Sequence, residues 1–125
     1  MLYELKVLLV DDNKCTQNVL CKIMQKERCT VTLVENGKDA INELNTKCYD
    51  LIVMEMSLPD IKGIDLLKQI VKNNIKIKKI VLTGHPSEED EEKSFELGVD
   101  YYILKPIKPK RLLQIIEKCA ITPEN

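Results

Sequence analysis

Apolar residues fall along this chain in two alternating rhythms. Lys6 to Val10 (KVLLV) is a short apolar run, cut off by Asp11-Asp12-Asn13. Thr16, Val19, Leu20, Ile23 and Met24 then recur at three- and four-residue spacing, one face of a helix. Cys29 to Val34 (CTVTLV) is a second strand, broken by Asn36-Gly37, and Ala40, Ile41 and Leu44 mark a short helix. Leu51 to Met54 is a third strand, and Leu66, Leu67, Ile70 and Val71 form the next helical stripe. Lys79 to Thr83 (KIVLT) predicts a fourth strand, followed by a helix over Pro86 to Leu97. Ser87 and Asp90 have capping-box spacing at its start, and Gly98 is its stop. Asp100 to Leu104 (DYYIL) is the fifth strand. Pro109 opens a last helix through Leu112, Leu113 and Ile116.

Strand and helix thus alternate five times with short connections. That pattern predicts an α/β fold, a parallel sheet covered by helices on both faces. No repeat, low-complexity segment or linker interrupts it. With 125 residues the chain is read as one domain over residues 1–120, with a flexible tail over 121–125.

Composition narrows the function classes. A net charge of −1 gives no basic field for nucleic acid. Five cysteines stand at positions 15, 21, 29, 48 and 119, none with C-x-x-C spacing, and His85 is the single histidine. A Cys/His zinc site therefore has little to draw on, and buried free thiols in a reducing compartment are expected. No stretch approaches 18 apolar residues. The reading is a cytoplasmic, soluble protein without a membrane partner.

In open parallel sheets, sites form outside the carboxyl ends of the strands. Those ends carry Asp11 and Asp12, Glu55, Thr83, and Lys105 followed by Pro106. Three carboxylates suit a hard divalent cation such as Mg²⁺. Thr83 and Lys105 can donate to an anion, as phosphoryl chemistry requires. Singly, each residue has a plainer explanation: Asp-Asp-Asn as a turn, Thr83 as a strand former, Lys-Pro as a surface loop. Five polar groups at four matching strand ends make coincidence a poor account.

The segments VLLVDDN (Val7 to Asn13), YDLIVMEMSLPDIKG (Tyr49 to Gly63), IVLTGH (Ile80 to His85) and YYILKPI (Tyr101 to Ile107) resemble the receiver domains of two-component response regulators, the CheY-like family. The resemblance spans nearly the whole chain. It implies a doubly wound (βα)5 fold, flavodoxin-like, with strand order 2-1-3-4-5. It also implies phosphoryl transfer from a histidine kinase or histidine phosphotransfer protein, and a downstream signalling protein as the reader. By the same resemblance Asp11 and Asp12 match the metal-binding acids, and the Ser57 backbone carbonyl a further metal ligand. Thr83 and Lys105 match the residues that grip the phosphoryl group, and Tyr102 the switch aromatic. A cis bond is expected before Pro106. VDDN and VENGKDAI look most like receivers attached to hybrid kinases or standing alone in phosphorelays.

One position departs. Glu55 stands where the family has the phosphoacceptor aspartate. Its extra methylene moves the carboxylate outward by about 1.5 Å, and a 1 Å misplacement can cost about 10²-fold in a transfer step. Three readings follow. Glu55 mimics the phosphorylated state with about one negative charge against the phosphoryl group's −1.5 to −2; or it accepts a phosphoryl group itself, with Mg²⁺ at Asp11, Asp12, Glu55 and Ser57; or it merely neutralises Lys105 in an inert module.

The charged stretches add less. Glu88 to Glu92 is five acids at a helix start, where the macrodipole favours them, and reads as a solvated face. That helix has few apolar residues besides Phe95 and Leu97, so loose packing is expected. Lys72, Lys76, Lys78 and Lys79, and again Lys105, Lys108, Lys110 and Arg111, form basic stretches without interleaved aromatics, so no direct nucleic-acid contact is expected. His85 is read as a loop residue at the pocket rim.

Overall fold

The computed structural model of the chain describes residues 4–121, with side chains through residue 120. Five strands and five helices alternate: β1 (Leu5–Val10), α1 (Lys14–Gln25), β2 (Cys29–Val34), α2 (Gly37–Thr46), β3 (Leu51–Met54), α3 (Gly63–Lys72), β4 (Lys78–Thr83), α4 (Glu88–Glu96), β5 (Tyr101–Leu104) and α5 (Pro109–Ile121). All strand pairs are parallel, in the order β2-β1-β3-β4-β5. This is the expected flavodoxin-like topology. Of the expected tail, Ile121 closes α5 and residues 122–125 lie outside the described residues.

The unbroken apolar runs of β1 and β3 follow from burial on both sheet faces. Val7 and Leu9 point to one side, where α1 and α5 bring Leu20, Met24, Leu112 and Ile115. Leu8 and Val10 point to the other, where α2 and α3 bring Ala40, Leu44, Leu66 and Leu67. Among the described residues no helix is long and apolar enough to cross a membrane.

The bottom of the sheet is closed by two aspartates in one recurring arrangement. Asp50 precedes β3, and its carboxylate accepts the Lys6 amide at 2.8 Å while its own amide donates to the Lys6 carbonyl. Asp100 does the same with Lys79 across β4 and β5. Asp100 was expected inside the fifth strand; its side chain instead terminates the ladder, and the strand begins at Tyr101.

Two further expectations shift. The fourth helix begins at Glu88 rather than Pro86, because Ser87 is the N-cap and its side chain accepts the Asp90 amide. Gly98 stops it with φ of +90°, a conformation that favours glycine. No disulfide joins the five cysteines, but only Cys119 is buried; Cys15 and Cys48 are exposed and Cys21 and Cys29 half-buried. The expectation of buried thiols therefore fails for Cys15 and Cys48, which lie on outer helix and loop surfaces. Burial pushes the Cys29 thiol up to about 11, with Glu27 and Glu4 adding to it, so it stays protonated.

Candidate functional site

β1, β3, β4 and β5 end side by side, so their following residues share one crevice. Asp11, Glu55 and Lys105 each come directly after a strand, and Thr83 is the last residue of β4. Asp11 is 2% exposed, Glu55 4% and Thr83 0%. Burying two carboxylates is costly unless each is paired and hydrogen-bonded.

Both are. The Lys105 ammonium donates to Asp11 Oδ2 at 2.7 Å and to Glu55 Oε1 at 3.0 Å. Glu55 Oε1 also accepts the Gly84 amide at 3.1 Å. Its second oxygen accepts the Met56 amide at 2.6 Å and the Ser57 amide at 3.4 Å. The Thr83 hydroxyl bonds Glu55 as well, and accepts the His85 amide at 3.0 Å. Asp11 Oδ1 accepts the Asn13 amide at 2.9 Å. Burial pushes the Glu55 carboxyl up, but the bonds from Thr83, Gly84 and Lys105 and the Lys105 charge outweigh it and hold the group below its ordinary value. Burial likewise pulls Lys105 down, and the bonds and charges of Asp11 and Glu55 raise it above its ordinary value. Both groups are charged near neutral pH.

The structure thus brings together Asp11, Glu55, Thr83 and Lys105. Asp12 and Ser57 are exposed at the same end, and His85 is an exposed loop residue. Tyr102 is half-buried on β5, and its hydroxyl accepts the Ser87 amide at 3.4 Å, touching the start of α4. The Lys105–Pro106 bond is cis, as expected. The basic stretch Lys72 to Lys79 runs from the end of α3 into the start of β4 and so lies at the opposite end of the sheet.

Among the described residues no group of three or more His, Cys, Asp or Glu side chains is arranged to hold a metal ion. The donors available for one are oxygens. Glu55 is fully engaged by its donors, whereas Asp12 is exposed next to Asp11. Mg²⁺ commonly takes one or two carboxylates and keeps several waters; Asp12 is open to such an ion, whereas both Asp11 oxygens already serve the Asn13 amide and the Lys105 ammonium.

Two residues were missed from sequence. Gln17 is buried on α1, and its side-chain amide donates to the Asp11 backbone carbonyl, tying the helix to the turn that carries the acids. The signal was a polar residue on the Leu20–Met24 stripe. Asp60 reaches α2, 23 residues earlier in the chain, and no local pattern marks that contact.

Comparison with known proteins agrees with this geometry. The family model described as response regulator receiver domain matches residues 7–117. The chain belongs to the response regulator receiver family. It is a receiver domain of two-component signalling, related to the receivers of histidine kinases and to response regulators. Over 121 residues it is 34% identical to hybrid signal transduction histidine kinase L of Dictyostelium discoideum, with 90% of this chain aligned. It spans 7% of that kinase's length. A CheY-like receiver domain protein from Methanospirillum hungatei JF-1 superposes with a TM-score of 0.88 at 29% identity, covering 95% of this chain and 96% of that one. The receiver domain of sensor histidine kinase PA1611 from Pseudomonas aeruginosa PAO1, solved with magnesium in its active-site cleft, gives a TM-score of 0.85 at 28% identity. The two chains are covered to 96% and 100%. Receiver domains typically bind Mg²⁺ and interact with histidine kinases or phosphotransfer proteins and downstream effectors, and they are generally not enzymes in the ordinary sense.

Proposed function

We propose that this receiver acts by protein–protein interaction, with Glu55 standing in for a phosphorylated aspartate. A histidine kinase or histidine phosphotransfer protein is its upstream partner, and a downstream signalling protein reads its α4–β5–α5 side in the cytoplasm. The observation that carries the reading is the seat of the Glu55 carboxylate. It already holds Lys105, Thr83 and Gly84, the donors at the β4 and β5 ends that would otherwise meet an incoming phosphoryl group.

The charge is smaller than a phosphoryl group's, about −1 against −1.5 to −2. It is nevertheless permanent, because the site keeps Glu55 ionised. Asp11 and Asp12, with the Ser57 carbonyl, hold Mg²⁺ weakly in this reading. When bound, the ion supplies positive charge for phosphoryl oxygens. Lys105 and Thr83 orient whatever anion occupies the crevice, and Asp11 holds Lys105 in place.

Retention of Asp11, Asp12, Thr83 and Lys105 also favours a second reading, in which Glu55 itself accepts a phosphoryl group in a Mg²⁺-dependent reaction. Intact mass after incubation with acetyl phosphate and Mg²⁺ decides between the two. We expect no phosphoryl mass on the wild type and clear uptake by Glu55→Asp, whose shorter side chain restores attack distance. Comparable uptake by the wild type would establish Glu55 as a working acceptor. Failure of Glu55→Asp to react would point to a further defect and remove the basis of mimicry.

A further inference from the structure

The connection from Glu55 to Lys62 is pinned at both ends. At its base the Gly63 amide donates to the Met56 carbonyl at 2.7 Å, and Ser57 forms an isolated antiparallel bridge with Lys62. Backbones meet so closely there that a Cβ on Gly63 would lie 2.7 Å from Met56 Cα. At its tip the Asp60 carboxylate leaves the loop for the first turn of α2. It accepts the Gly37 amide at 2.8 Å and the Lys38 amide at 2.9 Å, and also the Ile61 amide at 2.9 Å. Asn36 serves the Asp39 amide at 2.8 Å, so the two side chains divide the open donors of that helix end. A Cβ on Gly37 would fall 2.3 Å from Ile61 Cγ1, a measure of how tightly the loop is drawn in.

Inside this pinned loop lie the Met56 and Ser57 amides, the two donors that hold Glu55 Oε2. Glutamate is a flexible side chain, and where its carboxylate rests is chosen by its donors. Those donors are placed by the loop, and the loop by its joint to α2. We propose that Asp60 is the positioning residue of Glu55: by fastening the loop to the α2 N-terminus it fixes the amides that aim the carboxylate at Lys105 and Gly84. This deepens the reading of Glu55 as a fixed charge and rests on it, yet the geometry is independent of phosphoryl chemistry.

Amide hydrogen exchange on the full chain tests it, in wild type, Asp60→Ala and Asp60→Asn. Local loss of charge-assisted bonds opens a segment without unfolding the whole. In Asp60→Ala, exchange at Met56, Ser57 and Gly84 rises by at least about tenfold relative to the β1 amides. Asp60→Asn keeps the oxygen that serves Gly37 and Ile61, and gives a smaller rise. Should Asp60→Ala fail to fold, Asp60→Asn decides alone. Gly84 is the telling position, since it touches Glu55 and not the α2 joint. Faster exchange confined to Gly37 and Lys38 would make Asp60 a helix cap only and overturn the proposal. An equal rise at the β1 amides would overturn it too, as mere global destabilisation. Phosphoryl uptake by the wild type would end the mimicry reading and leave this exchange result standing.

Discussion

At the scale of single residues the site is a balance of three buried charges. Lys105 keeps 19% of its side chain exposed, against 3% for Asp11 and 5% for Glu55. Removing the ammonium strands two carboxylates, a loss of about 3 kcal/mol by the usual cost of breaking a buried pair. We therefore expect Lys105→Met to unfold at markedly lower urea, and its deficit to shrink as pH falls and the carboxylates protonate. In the wild type the pH profile has two edges. Glu55 is held below its ordinary value of 4.5, so its contribution is fully present above 4.5 and is lost as pH falls through the folded value. Lys105 is held above its ordinary 10.5, so its contribution is present below 10.5 and is lost as pH rises through the folded value. Urea melts across that range should show a plateau between the two values, and a single edge would reject the pairing. The strand-end residues were legible in sequence because each directly follows or closes an apolar run. Gln17 and Asp60 were not, because what they do depends on partners that only the fold brings near.

At the scale of elements, α4 is the least well anchored helix. Apart from the half-buried Asp90 its charged residues are exposed, and Phe95 is 47% exposed. Its one buried residue is Ser94, whose hydroxyl has no hydrogen-bond partner. An unpaired buried hydroxyl costs about 1–3 kcal/mol, and alanine is also the better helix former. Ser94→Ala should accordingly stabilise the protein by about 1 kcal/mol, read as a rise in Tm of about 3–5 °C. An unchanged or lower Tm would show that the hydroxyl is satisfied. The Ser87–Asp90 spacing and the Gly98 stop announced this helix, with its start placed two residues early at Pro86. Its looseness was legible too, from how few apolar residues it carries. The buried Ser94 was not, because polarity alone does not reveal which face of a short, charged helix turns inward.

At the scale of the whole molecule, the two cores and the site belong to different layers of stability. β1, β3 and β4 are sealed on both faces, whereas α4 is attached through Ser87, Ser94 and Leu97. Tyr102 links the two regimes. Its hydroxyl meets the Ser87 amide at the start of α4, and the Glu55 charge is close enough to help raise its phenol, after burial and the charges of Asp90 and Glu91. A change at Glu55 should therefore be felt at α4 and not at the far edge strand β2. We expect Glu55→Gln, which keeps the shape but removes the charge, to shift the amide signals of Gly84, Ser87 and Tyr102. The β2 signals should stay in place. The substituted side chain would still present one acceptor oxygen, but its NH₂ group would face the Met56 and Ser57 amides or the Lys105 ammonium as a poor partner. One side of the seat must then loosen. If the α4 and β5 signals stay fixed while Gly84 moves, the Glu55 charge is confined to its crevice. The module would then hold a paired carboxylate without transmitting it to the surface a partner reads.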